Sequence, residues 1–289
     1  LLNVAQSKGC KVILIGDRNQ LQPVLDYGGA FAAISRQAGS KILTEIARQR
    51  DAWAREAVKE IAEGQSLQAL ERFREKGLID IADNRRESLK RMIADWMKSG
   101  LLDPKNHVAL FATNEEANEF NRAIQIHRMK RLDLGLFGVK VGEQRLHSGD
   151  RVVCTENAPW LHLQNGAMGT VRRTDPVHRE IVIDLDHGLR VTIPLKHYDR
   201  IQLAYALTAH RAQGCTTENA YVMLGGPHQD KELALVQLSR ARQSTRIYTN
   251  RWEAGENLEV LAVQMKQSRQ QELAVEVARQ AEHSPSLRA

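Results

Sequence analysis

Cysteine is scarce in this 289-residue chain: Cys10, Cys154 and Cys215 are far apart and odd in number. Such spacing builds no disulfide framework and fits a reducing compartment. The cysteines also lie away from histidine at metal-ligand spacing, so His162 and His178 read as surface residues and no metal site is expected. No apolar run approaches the ~20 residues that a membrane span requires. The first ten residues mix Asn, Gln, Ser and Lys, unlike the apolar core of a secretory signal. The expected compartment is the cytoplasm.

Lys and Arg number 41 against 35 Asp and Glu, a net charge of +6 and a pI near 9.3. That balance admits a polyanionic partner without requiring one. The final 39 residues carry five Lys/Arg against six Glu, so the basic excess lies upstream of residue 251. With 42% hydrophobic residues the chain can bury a sizeable core, and its length indicates about two domains.

The segment KVILIGDRNQLQPV (11–24) has the pattern of a buried parallel strand followed by a polar loop. Open α/β sheets bind ligands at the carboxyl ends of their strands, which puts Asp17 and Gln20 in position to contact one. The chain starts at Leu1, and only ten residues precede this strand, too few to give it parallel neighbours. Residues upstream are therefore expected.

Residues 51–76 are helical in pattern, 78–82 form a short strand, 86–98 a helix and 107–113 an apolar strand. A helix over 114–132 follows, with Asn114 as its expected N-cap. From about 136 to 200 short β segments separated by turn signals such as Asn165-Gly166 predict a small barrel. Then RIQLAYAL and NAYVML read as apolar strands, followed by a helix over 231–243, a strand over 245–249 and a polar helical tail.

Within this frame GDRNQLQPV, LTAHRAQGCT and LVQLSRAR resemble, in order and spacing, motifs III, V and VI of superfamily one DNA helicases of the RecD-like branch. LTEIARQRD (43–51) is similar to the motif IV region. The wording resembles the helicase half of conjugative transfer relaxases of the TraA, TraI and TrwC kind, over residues 1 to about 250. The resemblance implies an α/β P-loop NTPase fold with RecA-like lobes. Residues 1–45 would end the first lobe. The second lobe would occupy 46–135 and 201–250, interrupted by an SH3-like β insertion at 136–200 and followed by a tail at 251–289. It implies ATP and Mg²⁺ as cofactors, single-stranded and duplex DNA as partners, and conjugation machinery as a further partner. The family's P-loop (GxxxxGK[ST]) and Asp-Glu magnesium site lie upstream of motif III, and neither occurs in these 289 residues.

Residue roles follow from the same resemblance. Gln20 would sense the γ-phosphate, and Gly16 and Asp17 would belong to the loop that couples it to DNA. Arg48 and Arg240 would neutralise charge on the transferred phosphoryl group, a task suited to arginine's permanent charge and planar fork. On a helix through 243, Arg240 and Arg242 would stand about 200° apart, so only one could face a cleft; the family pattern selects Arg240. Gln213 and Gly214 would approach the nucleotide, and Thr208, His210, Arg211 and Asn114 the DNA. Thr208 is also expected to cap a short helix that Gly214 ends. Trp160 could stack on a base or anchor a hairpin. Each position has a plainer reading: a surface salt bridge for Arg240, a solvated charge for Arg48 with Arg50 as its rival, a loop amide for Gln20, a surface histidine for His210. Two functions stay open, an ATP-driven 5′ to 3′ motor and a vestigial motor copy that grips single strands without hydrolysis.

Overall fold

The structure, a computed structural model, describes residues 2–17, 21, 31, 34, 35, 41 and 46–269. It comprises two compact units, residues 1–45 with 268–289, and residues 46–267. In the first, helix α1 (Leu2–Ser7) ends at Gly9, whose φ of +62° suits glycine. The strand expected over residues 11–15 does not form: residues 11–17 are irregular, with Ile13 and Ile15 70% and 93% exposed. A parallel strand exists only through its neighbours' hydrogen bonds, and no other described segment pairs with this one.

The second unit contains a five-stranded parallel sheet, ordered β1-β12-β11-β2-β10. Its strands are β1 (Ile79–Ala82), β2 (His107–Phe111), β10 (Ala206–Thr208), β11 (Thr217–Met223) and β12 (Ala241–Asn250). One register row, Ile79, Ile247, Val222, Leu110 and Leu207, is apolar across all five strands. That row belongs to the face packed by α2 (Ala52–Ala62), α3 (Ser66–Glu75), α7 (Lys231–Leu238) and α9 (Glu259–Lys266). Ala109, Tyr221, Tyr248 and their neighbours face α4 (Arg85–Gly100) and α5 (Asn114–Lys130) through Trp96 and Phe120. Both faces are covered, which is why Val108–Phe111 of β2 read as an unbroken apolar run.

Between α5 and β10 the chain forms a β region. A hairpin of β3 (Gly138–Val141) and β4 (Gln144–His147) lies against an antiparallel sheet ordered β8-β7-β6-β5-β9. Its strands are β5 (Arg151–Cys154), β6 (Met168–Asp175), β7 (Glu180–Leu185), β8 (Arg190–Pro194) and β9 (Ile201–Leu203). The segment RIQLAYAL, expected as one strand, divides: β9 closes the antiparallel sheet and β10 the parallel one. Buried Asn121 holds the switch, donating to Leu203 O at 3.3 Å and Ala206 O at 3.0 Å and accepting from Ala206 N at 2.8 Å.

Two further boundaries differ from expectation. Thr113, not Asn114, caps α5, its hydroxyl accepting from Glu116 N at 3.4 Å. The Thr-x-x-Glu spacing of a capping box carried that signal. The helix expected through 243 ends at Leu238, and β12 begins at Ala241. The tail contributes α8 (Arg251–Ala254) and α9. Among the described residues no helix is long and apolar enough to cross a membrane.

Candidate functional site

The candidate residues of the second unit sort to the two edges of the parallel sheet. At the carboxyl edge, β2 and β10 are neighbours with Phe111 opposite Thr208. The turn with Thr113 and Asn114 therefore emerges beside Thr208 and the short helix α6 (Ala209–Ala212). Asn114 and His210 are exposed. Thr208 occupies the N-cap of α6 but is buried, and its side chain makes no capping bond. Arg211 is half-buried and donates to the Gln202 side chain of β9, which ties this loop to the antiparallel sheet. Burial holds its pKa below the ordinary arginine value.

Eight residues connect Thr208 at the carboxyl edge to Thr217 at the amino edge. Gln213 and Gly214 are exposed on this crossover, and Gly214 adopts φ +86° where the helix stops. At the amino edge, Thr217 N donates to Arg240 O at 3.2 Å. Arg240 is 2% exposed and donates from Nε to Val236 O at 2.8 Å and from a terminal nitrogen to Ser239 Oγ at 2.7 Å. Arg48 donates to Ser239 O at 2.7 Å. The two arginines assigned to the phosphoryl group thus converge on one residue.

The helical argument that separated Arg240 from Arg242 does not hold, because neither residue is helical. Arg240 lies in the turn between α7 and β12, and Arg242 is the second residue of the strand. Their environments still differ. Arg242 is exposed, with a long contact of 3.7 Å to Glu218, a carboxylate that Arg50 also approaches at 2.8 Å.

Cationic side chains concentrate at this edge. A small pocket is lined by Lys105, His107, Arg151, Cys215, Thr217 and Arg240, among others. Arg151 is 1% exposed and paired with Asp186 at 2.6 Å. The Cys215 thiol lies 3.2 Å from the Met168 thioether, and burial raises its pKa, which keeps it protonated and unreactive. Burial, then the charge of Arg242, lowers the pKa of Arg48. Permanently charged arginines close together and partly desolvated fit a polyphosphate. Among the described residues no group of three or more His, Cys, Asp or Glu could hold a metal ion.

Gly16 and Asp17 belong to the first unit, where a Cβ on Gly16 would come 3.0 Å from the Phe31 ring. Gln20 lies outside the described residues. Trp160 is 57% exposed in a short 3-10 turn (Pro159–Leu161) and anchors no hairpin.

Three residues of consequence escaped sequence reasoning: Gln49, buried between Arg48 and Arg50; Asn121 at the switch between sheets; and Asp150, which is fully buried. Gln49 stands in the quoted RQR run, yet nothing local distinguishes it from a solvated amide.

A family model described as an AAA domain matches residues 1–84. The conjugal transfer protein TraA of Agrobacterium fabrum is 31% identical over 244 residues, 83% of this chain and 22% of that protein. The ATP-dependent RecD2 DNA helicase of Deinococcus radiodurans is 27% identical over 83% of this chain and 33% of its own length. The chain therefore spans about a fifth to a third of these relatives. A crystal structure of Bacteroides Pif1 bound to single-stranded DNA shares its fold, with a TM-score of 0.53 and 18% identity over 83% of this chain and 62% of that one. By sequence this chain is a homologue of the TraA conjugal transfer proteins and of the RecD2 helicase, and it shares its fold with Pif1.

Proposed function

We propose that the chain is the downstream part of an ATP-driven, 5′ to 3′ DNA-unwinding motor, the helicase portion of a conjugative relaxase. Residues 46–135 and 201–250 would be its second RecA-like lobe, interrupted by the β insertion at 136–200. The observation that carries this reading is the convergence of Arg48 and Arg240 on Ser239 at the amino edge, joined by one eight-residue crossover to the exposed His210 at the other. Transfer of a phosphoryl group to water spreads negative charge over its oxygens, and fixed cations lower that barrier. Arg240 would exchange its bonds to Val236 and Ser239 for the leaving phosphate, with Arg48 beside it, and Gln213 and Gly214 near the nucleotide. Gly16, Asp17 and Gln20 would keep the γ-phosphate-sensing roles that the motif resemblance gives them. Thr208, His210, Arg211 and Asn114 would hold the DNA backbone, and movement of the crossover would couple the two sites. The test is DNA-stimulated ATP hydrolysis by the full-length protein and unwinding of duplexes tailed at either end. Unwinding of 3′-tailed but not 5′-tailed duplex would overturn the assigned direction, and absence of DNA-stimulated hydrolysis would overturn the motor.

A further inference from the structure

The Arg-Gln-Arg run lies alongside the turn that carries Arg240. Three of its groups engage that turn: Arg48 donates to Ser239 O at 2.7 Å, Gln49 Nε2 donates to Ser239 O at 3.1 Å and to Ala241 O at 3.2 Å, and Arg50 N donates to Arg242 O at 2.8 Å. The Gln49 contacts bracket Arg240, since one amide nitrogen holds the carbonyls immediately before and after it. Both acceptors are carbonyl oxygens, so only the NH₂ end of the amide can face them. Gln49 is 4% exposed, and its Oε1 has no hydrogen-bond partner among the described residues. As mere filling, a buried amide with one end unpaired is inferior to an apolar side chain of equal size. What the amide supplies is a fixed backbone at residues 239–241.

We propose that Gln49 is a positioning residue for Arg240, acting through the backbone and touching neither nucleotide nor DNA. The inference rests on the reading of Arg240 as the residue that neutralises the leaving phosphate. The turn at 239–240 lies between α7 and β12 and has no regular backbone ladder of its own. With both flanking carbonyls held, Arg240 can swing only at its side chain. Released, the turn would let the guanidinium miss the phosphate by distances of the order of 1 Å, which reduce rates about a hundredfold.

The experiment is steady-state, DNA-stimulated ATP hydrolysis by the full-length protein carrying Gln49→Met, Gln49→Asn, Arg240→Ala, or Gln49→Met with Arg240→Ala. Methionine matches the length and bulk of glutamine without a donor, and asparagine keeps the donor on a shorter arm. Gln49→Met is expected to lower kcat about ten- to a hundredfold, with KM for ATP within about twofold and thermal unfolding near that of the parent. Gln49→Asn should fall between parent and Gln49→Met, and serves in its place if that variant does not fold. Adding Gln49→Met to Arg240→Ala should cost nothing further, because a positioning residue has no role without the group it positions. Near-parental kcat for Gln49→Met and Gln49→Asn, with Arg240→Ala inactive, would overturn the proposal and leave the phosphate role of Arg240 standing. Losses that multiply in the double variant would overturn it as well. Activity retained by Arg240→Ala would instead overturn the underlying reading.

Discussion

Replacing Asp150 by alanine should loosen the β region from the parallel sheet. The carboxylate is fully buried and accepts three hydrogen bonds: from Tyr205 Oη at 2.6 Å, His147 N at 2.7 Å and Gln125 Nε2 at 2.7 Å. Gln125 projects from α5 and Tyr205 sits between β9 and β10, so one side chain ties the β region to both. Alanine would strand the His147 amide and the Tyr205 hydroxyl, at about 1–3 kcal/mol each. Gln125 keeps its bond to Arg145 O, and Tyr205 still accepts from Arg128. Removal of a desolvated carboxylate offsets part of the loss, for a net of about 2–4 kcal/mol. For a domain this size, that lowers Tm by about 5–15 °C, measurable by scanning calorimetry or circular dichroism. Gln125→Ala should cost less than about 1 kcal/mol, because it removes one donor from a carboxylate that keeps two others. A melting point for Asp150→Ala within about 1 °C of the parent, or equal losses for the two variants, would refute the reasoning.

The same residue makes a pH prediction. Burial raises the Asp150 pKa above its ordinary value, so its contribution to stability is present at low pH and is lost as pH rises through the folded pKa. The gap in stability between parent and Asp150→Ala should widen from pH 7 towards pH 4, and a gap that narrows would mean the carboxylate is favoured as the anion. In the full-length protein, Arg240→Ala should reduce ATP turnover on the order of 10³-fold or more, and Arg240→Lys should not restore it. Arg242→Ala should stay within roughly tenfold, since that side chain is exposed and, among the described residues, its ion pair with Glu218 is a loose 3.7 Å; the reverse outcome would exchange their roles. Residues 1–289 alone should show no ATPase activity, because they contain no GxxxxGK[ST] run to hold the β-phosphate. Their binding to single-stranded DNA should be weak, tolerant of sequence and steeply weakened by salt, and an affinity indifferent to salt would argue against backbone contacts.

Local pattern was enough for much of this protein. The unbroken apolar run of β2, the helical periods on either side of it and the turn signals of the β region were legible because each depends on residues close in sequence. So were the place of Thr208 just before a short helix and the glycine turn at Gly214 that follows it. Other features needed partners distant in the chain. Nothing in RIQLAYAL indicates that Leu203 joins one sheet and Ala206 another; that division depends on which sheet edges stand open and on Asn121, some eighty residues away. The apolar run at 11–15 has the composition of a strand but finds no neighbour to bond among the described residues. Arg240 left its expected helix because β11 and the Arg-Gln-Arg run offer the backbone at 239–242 hydrogen bonds that a helix would forgo. Side-chain period is a property of the local chain, whereas pairing, capping and burial are settled by whichever distant groups arrive to satisfy the backbone.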